Sequence, residues 1–339
     1  MPTIYEIARA AGVSPTTVSR VLSGKGVHNA PSTCERIRRL AERMGYRRNT
    51  FAAAVRKGRC GTIGFLRSSM EIHAQIPETF RYGLNEALAK SGELLITGMV
   101  AEDELASGRL PRLAREWAVD GLVLFYTHGD WSGLGRKLEE LRLPSVWVNN
   151  KLPHNSIYPD DLAAGRMAAQ TLAKSGCRRI ACFSLWSTGH YSEADRSKGF
   201  LAAARRLGIQ AEDCSASDNS NPQTWSARAD EMVSRARGFD GIFCYGPTEI
   251  VALFIAAARQ QIRIPDDLSL ITIYWKPVCI SGQPVDTLVM PYGETIAPLT
   301  VTRLLEQIGR GDAFPSIPVK PKLVPGNTTR NSPKNRSQL

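Results

Sequence analysis

The feature that most constrains the fold is a regular alternation of apolar, strand-like runs with amphipathic helical windows, which begins at Gly61. Strands and helices in alternation favour right-handed βαβ units and parallel sheets that are covered by helices on both faces. Four of the runs precede about residue 158 and at least three follow it, which predicts two doubly wound sheets. The predicted strands are Thr62–Leu66, Leu94–Thr97, Gly121–Tyr126, Ser145–Val148, Ile180–Ser184, Gly241–Tyr245 and Leu268–Ile273, and the predicted helices include 78–91, 110–118, 161–174 and 248–261.

The N-terminal residues follow a different pattern, that of two short helices joined by a turn. Thr3 and Glu6 have the spacing of a capping box, and Gly12 can take the left-handed conformation that ends a helix. Ser14 is a second N-cap, and Pro15 occupies the first position of the next helix, where its missing N–H costs nothing. Two helices joined by a Gly-containing turn predict either a DNA-reading helix-turn-helix or an ordinary helical hairpin.

Apolar residues recur at helical spacing in these two segments and in a third that follows. The predicted buried residues are Ile4, Ile7, Ala8, Ala11, Val18, Val21, Leu22, Ile37, Leu40, Ala41 and Met44. Gly45 ends the third helix, whereas two starts compete for it, one at Pro31 and one at a capping box formed by Ser32 and Glu35. The second helix is left with small hydrogen-bonding groups and Arg20 pointing outward.

The net charge of +11 is concentrated at this end of the chain. Residues 1–59 carry 12 Lys and Arg against three acidic residues, and residues 320–339 carry five basic residues and no acid. The remaining 260 residues hold 26 basic and 29 acidic residues. Because a polyanion docks on basic surface, the position of the charge favours the DNA-reading interpretation over the hairpin.

Composition and motifs argue against several other classes of protein. Seven cysteines are spread along the 339 residues without a Cys-x-x-Cys pair, which favours reduced thiols in a cytoplasm. No apolar run approaches the roughly 18 residues that a membrane span needs, and no signal-peptide pattern follows Met1. The histidines lack metal-binding spacing, and neither a phosphate-binding Gly-rich loop nor a Gly-x-Ser-x-Gly elbow occurs. We therefore expect no cofactor, no metal, no membrane partner and no enzyme activity; the alternatives are a solute-binding receptor or an α/β enzyme without a DNA role.

Several motifs occur in a fixed order along the chain. They are TIYEIARAAGVSPTTVSRVL (3–22), GYxxN (45–49), KGRCGTIG (57–64), Asp160-Asp161 with Gly165, SGCRRIA (175–181), RSKGF (196–200) and RIPDDLS (263–269). The first is highly specific, and the others are weaker singly. With them the chain resembles the lactose-repressor (LacI/GalR) family of bacterial transcription regulators over nearly its whole length. The resemblance implies a homodimeric regulator, expected to be a repressor, that binds a palindromic operator and is gated by a small molecule.

The resemblance and the alternating pattern together define the expected domains. We expect an all-α helix-turn-helix headpiece at 1–48, a hinge segment at 49–59 and an α/β core at 60–330, followed by a disordered tail at 331–339. The core should consist of two doubly wound parallel-sheet subdomains, as in periplasmic binding proteins. One subdomain is expected at about 60–158 plus 289–318, and the other at 159–288 plus 319–330.

The resemblance also implies which residues contact DNA. Pro15, Thr16 and Arg20 match positions that read base edges, and Val55 matches a side chain that wedges into the minor groove. Since Pro15 has no side-chain donor, base reading is expected to depend on Thr16 and Arg20. Val55 is shorter than the Leu usual there, and Ala53 replaces a common Arg. The full set of expected contacts is Thr3, Tyr5, Ser14, Pro15, Thr16, Thr17, Ser19, Arg20, Asn29, Thr33, Asn49, Ala52, Ala53, Val55 and Arg56.

The expected effector site lies in the cleft at the carboxyl ends of the strands. Arg196 matches the family's ligand-binding Arg, but Asn149, Pro247 and Tyr274 stand where carboxylates are usual. Asn accepts hydrogen bonds less strongly than a carboxylate, and Pro has no side-chain acceptor. Two hypotheses follow: the ligand is an acidic or aromatic molecule rather than a standard hexose, or the cleft has lost its response to ligands. The expected effector contacts are Ser68, Asn149, Trp186, Arg196, Pro247 and Tyr274.

Overall fold

In its described residues, the first of the two units into which the chain separates contains three helices; the units are Met1–Cys60 and Gly61–Leu339. The computed structural model describes residues 2–24, 29–47, 58–68, 76–100, 109–110, 112–116, 119–125, 132–187, 189–217, 222–235 and 238–330. The helices of the first unit, which we call the headpiece, are α1 (Ile4–Ala11), α2 (Pro15–Leu22) and α3 (Pro31–Arg43).

The local chemistry of the headpiece agrees with its sequence. The hydroxyl of Thr3 accepts a hydrogen bond from the backbone N–H of Glu6, whose carboxylate accepts one from the backbone N–H of Thr3 at 2.7 Å. This arrangement confirms the capping box, and Gly12 ends α1 in the left-handed conformation with a φ of 63°. Of the two competing starts, α3 uses Pro31. The apolar core of the headpiece consists of Ile7, Ala8, Ala11, Val18, Val21, Cys34, Ile37 and Ala41.

Two six-stranded sheets organise the described part of the second unit. The strands are β1 Thr62–Ser68, β2 Leu94–Val100, β3 Gly121–Phe125, β4 Ser145–Val148, β5 Ser156–Pro159, β6 Arg179–Phe183, β7 Gln210–Asp213, β8 Gly241–Cys244, β9 Ser269–Tyr274, β12 Thr287–Val289, β13 Ile317–Val319 and β14 Lys322–Val324, and the two-stranded hairpin is β10 Cys279–Ile280 with β11 Gln283–Pro284. The first sheet has the order β13-β5-β4-β3-β1-β2 and the second β14-β12-β9-β8-β6-β7. All strand pairs within the two sheets are parallel except β12 with β14.

Helices connect the parallel strands, as the alternating pattern predicts. They are α4 Glu78–Lys90, α5 Arg112–Arg115, α6 Ser132–Glu140, α7 Asp161–Lys174, α8 Tyr191–Leu207, α9 Trp225–Arg235, α10 Pro247–Arg259 and α11 Ala297–Arg310, with a 3-10 turn at Pro222–Thr224 and a π-helix at Tyr292–Ile296. The helix predicted at 110–118 is described only as the single turn α5, and part of the predicted range lies outside the described residues. The fold therefore confirms two doubly wound sheets with parallel strands.

The chain passes between the two sheets at three places. It leaves the first sheet for the second after β5, and it returns after β12 to helix α11 and then to strand β13 of the first sheet. It crosses to the second sheet again between β13 and β14. The backbone N–H of Asp160 donates to the carbonyl of Val319 at 2.8 Å, so two of the crossings lie side by side. The largest apolar cluster contains buried residues from both sheets, including Ile63 and Phe125 from the first and Phe243 and Ile271 from the second.

Candidate nucleic-acid interface and ligand cleft

The helix α2 is held by its cap and by one buried face. The Ser14 hydroxyl accepts a hydrogen bond from the backbone N–H of Thr17 at 3.1 Å, which satisfies one of the four free N–H groups at the start of the helix. Val18 and Val21 are buried against α1 and α3. Since residues four apart share a helix face, Thr16 and Arg20 lie together on the outer surface, where both are exposed.

The predicted DNA contacts differ in how accessible they are. Exposed residues are Thr3, Tyr5, Ser14, Thr16 and Arg20, and half-buried residues are Pro15, Thr17, Ser19, Asn29 and Thr33. Tyr5 keeps 72% of its surface exposed, so its ring is free for an external contact. The predicted contacts Asn49, Ala52, Ala53, Val55 and Arg56 lie outside the described residues.

The exposed surface of α2 can recognise base edges chemically. A helix fits the major groove of B-DNA, and the Arg guanidinium presents paired donors that match the N7 and O6 acceptors of guanine. The Thr16 hydroxyl can donate or accept, and its methyl group can contact a thymine methyl. The basic balance of residues 1–59 supplies the attraction to phosphates.

In the second unit, Arg196 of α8 is bound by neighbouring groups of the protein. Its Nε donates to the Oδ1 of Asp161 at 2.7 Å, and an Nη donates to the carbonyl of Tyr245 at 3.1 Å. The guanidinium carbon also lies 4.3 Å from the centre of the Tyr245 ring, in the geometry of a cation–π contact. The positive charge of Arg196 is therefore already balanced by a carboxylate.

Asp161, the first residue of α7, is a buried carboxylate with 1% of its surface exposed. Burial raises its pKa to about 6, against the nearby positive charge of Arg196, which lowers the pKa. Its Oδ2 is buried and has no hydrogen-bond partner among the described residues, and the same is true of the Tyr191 hydroxyl. A cavity of about 540 Å³ opens beside Arg196 at the carboxyl ends of β6 and β7.

A chain of polar contacts links Asn149 to the surroundings of Arg196. The Nε2 of His190 lies 3.3 Å from the Asn149 carbonyl oxygen, and the Nδ1 of His190 lies 2.7 Å from the Ser192 hydroxyl. The Ser192 hydroxyl in turn lies 2.6 Å from the Tyr245 hydroxyl. The Tyr292 hydroxyl donates to Oδ1 of Asn149 at 3.0 Å. Asn149 follows strand β4 of the first sheet, and His190 lies between strand β6 of the second sheet and helix α8. These polar contacts therefore cross the cleft.

The other predicted effector contacts do not take part in this series of polar contacts. Trp186 stacks on Trp225 with ring centres 4.6 Å apart, and Pro247 lines an apolar groove that also contains Trp225. Tyr274 stacks on Trp275 at 3.7 Å. Ser68 ends β1, and its side chain lies outside the described part of the structure.

Several groups that surround Arg196 are not among the predicted effector contacts. Asp161 is predicted only as the first residue of the helix 161–174, and no role is predicted for His190. Both residues begin or cap a helix that follows a strand, which is the signal that indicates a cleft position in this fold. Tyr292 also begins a helix after a strand, but that strand, β12, has only three residues and is not predicted from the sequence.

Two family models match the chain. Residues 3–49 match the family described as bacterial regulatory proteins, lacI family, and residues 169–329 match a periplasmic binding protein-like domain. The first match covers the headpiece, and the second covers most of the second sheet and its helices. No helix in the described part of the chain is long and apolar enough to cross a membrane.

Characterised relatives are also regulators. The maltose regulon regulatory protein MalI of Escherichia coli K12 is 33% identical over 215 residues, which are 61% of this chain and 60% of that protein. The transcriptional regulator PtxS of Pseudomonas plecoglossicida is 29% identical over 321 residues, which are 93% of this chain and 91% of PtxS. The match to PtxS thus spans both the headpiece and the two sheets.

The fold has a close counterpart among solved structures. A lac repressor dimer bound to operator and the anti-inducer ONPF superposes with a TM-score of 0.78 at 20% identity, covering 97% of this chain and 99% of that one. The relatives are regulators and not enzymes, which confirms the expectation drawn from the missing catalytic motifs. The matched families, the order of the motifs and the headpiece geometry lead to one conclusion: residues 3–49 form a DNA-binding domain of the lacI family of bacterial regulatory proteins, residues 169–329 belong to a periplasmic binding protein-like domain, and the matching relatives are transcriptional regulators.

Proposed function

We propose that the chain is a cytoplasmic, ligand-gated repressor that binds operator DNA as a homodimer. In each protomer α2 enters the major groove, and the side chains of Thr16 and Arg20 read base edges. The observation that carries this proposal is the exposure of both side chains on a capped helix whose opposite face is buried. Two copies related by a two-fold axis would bind a palindromic operator.

Other headpiece groups hold this helix in register on the duplex. Small hydroxyls and amides contact phosphates, which fixes orientation without carrying sequence information. We assign this role to Thr3, Tyr5, Ser14, Thr17, Ser19, Asn29 and Thr33, whereas Pro15 packs close to the bases beside Thr16 and Arg20. In the same proposal the hinge residues Asn49, Ala52, Ala53, Val55 and Arg56 contact the minor groove, with Val55 as the wedge.

The edge of the first sheet supports the homodimer. Strand β2 is the edge strand, and Leu94 and Met99 expose 61% and 57% of their surface there. Tyr82, on the neighbouring helix α4, is 76% exposed. Open sheet edges with exposed apolar side chains are unfavourable in water unless another chain covers them. We propose that a second protomer covers this surface.

We propose that the effector binds beside Arg196, where Asp161 Oδ2 and the Tyr191 hydroxyl are buried without partners. Because Asp161 already neutralises Arg196, these contacts favour a neutral ligand that donates hydrogen bonds over an acidic one. One structural neighbour, a CelR–cellobiose complex with a TM-score of 0.66, holds a neutral sugar. A cleft without ligand response stays the alternative.

The DNA-binding proposal is tested by selection from a random DNA pool. The full chain is expected to enrich one inverted repeat, because a symmetric dimer presents α2 twice. A protein that starts at Gly61 serves as the control and is expected to enrich nothing. Enrichment by this shortened protein, or enrichment of unrelated sequences by the full chain, would contradict the proposal.

The ligand proposal is tested on the full chain with matched neutral and acidic probes. Glucose, maltose and cellobiose are compared with glucuronate and gluconate by thermal shift and by release of the selected DNA. A neutral probe is expected to raise the melting temperature and change DNA affinity. A shift caused only by the acids would support Arg196 as an anion site, and no shift with any probe would support the loss of ligand response.

A further inference from the structure

One carboxylate on a helix that packs against the first sheet accepts two hydrogen bonds from the loop that follows strand β9 of the second sheet. Glu78 is the first residue of α4, which packs against β2. Its Oε2 accepts from the indole N–H of Trp275 at 2.8 Å, and its Oε1 accepts from the ammonium group of Lys276 at 2.6 Å. Trp275 and Lys276 follow β9 directly. We call these three residues the Glu78 clamp.

A second ion pair joins the two sheets at another point. The ammonium group of Lys151 lies 2.6 Å from an oxygen of Asp195. Lys151 follows β4 of the first sheet, and Asp195 lies on α8, which packs against β7 of the second. The side chain of Asp195 is only 18% exposed, so water screens this pair less than a pair on an open surface.

The contacts of Glu78 favour its ionised form. A hydrogen bond from Lys276 is the largest cause that holds the pKa of Glu78 below its ordinary value, and Trp275 contributes in the same direction. Ion pairs on this protein also occur inside single helices, for example between Glu86 and Lys90. Such a pair can stabilise its own helix, whereas the Glu78 clamp and the Lys151–Asp195 pair join groups that belong to different sheets.

We propose that the Glu78 clamp and the Lys151–Asp195 pair form a latch that keeps the cleft closed when no effector is bound. The idea rests on the proposed function only in taking this cleft as the effector site. The closed cleft is then the resting state of the protein. An effector either opens this closed cleft or stabilises it further. High salt opens the cleft, since the screening length falls to about 3 Å at 1 M.

Hydrogen–deuterium exchange on the ligand-free full chain tests the latch directly. Glu78→Gln removes the charge that Lys276 contacts, and Glu86→Gln removes an equal charge from the same helix without crossing the cleft. In the first variant, backbone amides in peptides that cover 145–151 and 190–196 are expected to exchange about threefold faster or more, at an unchanged melting temperature. In the second they are expected to exchange as in the wild type.

A second variant keeps the test valid if Glu78→Gln folds poorly. Trp275→Phe retains an aromatic ring but removes the indole donor, and it is expected to speed exchange in the same peptides. In the wild type, 1 M NaCl is expected to do the same. Equal exchange in Glu78→Gln, Trp275→Phe and wild type would overturn the latch. Failure of the wild type to select DNA would overturn the proposed function instead, and leaves the exchange result as it is.

Discussion

Glu249 lies in the first turn of α10 with 1% of its surface exposed, and its Oε1 accepts a hydrogen bond from the backbone N–H of Leu185 at 3.3 Å. Burial raises its pKa to about 7, although backbone hydrogen bonds and the charge of Arg196 act to lower the pKa. The ordinary value is 4.5, so the folded state favours the protonated carboxyl. Stability from this residue is present below pH 4.5 and is lost as the pH rises through about 7.

Glu249→Gln is therefore expected to stabilise the protein at pH 8 by about 1–3 kcal/mol, because the amide is neutral and can still accept from Leu185. The difference in the free energy of unfolding should shrink toward pH 5. Urea unfolding at the two pH values measures it, and Glu306→Gln on an exposed face of α11 is the control. A variant that is less stable than the wild type at pH 8 would contradict the expected burial cost.

Arg20→Ala is expected to relax sequence preference more than it weakens non-specific binding. A bidentate Arg–guanine contact contributes about 1–3 kcal/mol of discrimination, which is about 5- to 150-fold in relative affinity. Arg43→Ala, in the last turn of α3, removes the same charge from another exposed position of the headpiece. Binding titrations on the selected operator and on scrambled DNA measure both variants. Equal losses on both DNAs for Arg20→Ala would argue against base reading.

At the scale of elements, the turn between α1 and α2 depends on one backbone conformation. Gly12 has a φ of 63°, and a Cβ placed on it would meet no atom within 4 Å. The cost of a side chain there is therefore conformational. Gly12→Ala is expected to destabilise the headpiece by about 1–2 kcal/mol, and Gly12→Asn by less, because Asn tolerates the left-handed region. Thermal unfolding followed through headpiece amide signals measures both, and equal stability of the Ala variant would contradict the strain.

Elements with a clear apolar pattern could be predicted from the sequence, whereas strands of only three residues could not. The strand at Ser145–Val148 and the helix at 161–174 were predicted with the observed bounds. Strands β12, β13 and β14 have three residues each, too few for a periodic signal, and their pairing is set by distant strands. In the cleft, too, contacts between distant segments could not be predicted. Arg196 was predicted from its motif, but its pairing with Asp161 depends on how helices α7 and α8 meet in space.

At the scale of the molecule, the charge distribution governs how DNA binding responds to salt. The basic excess lies in residues 1–59, and two headpieces would each release counterions from several phosphates. Operator affinity is expected to fall about 10³-fold between 50 and 200 mM salt, as for proteins that contact about six phosphates. Titrations at four salt concentrations measure the slope of log affinity against log salt concentration. The melting temperature of the protein that starts at Gly61, measured at the same salt concentrations, is the control for an effect of salt on folding. An affinity independent of salt would contradict a phosphate-contacting headpiece.

The positions of β13 and β14 have a consequence for how the chain is made. Each is the edge strand that completes a different sheet, β13 beside β5 and β14 beside β12. During synthesis, neither sheet has its full set of strands until residues 317–324 have left the ribosome. Until then both edges are open to other nascent chains. We therefore expect the two halves of this regulator to finish folding together, once residues 317–324 have been made.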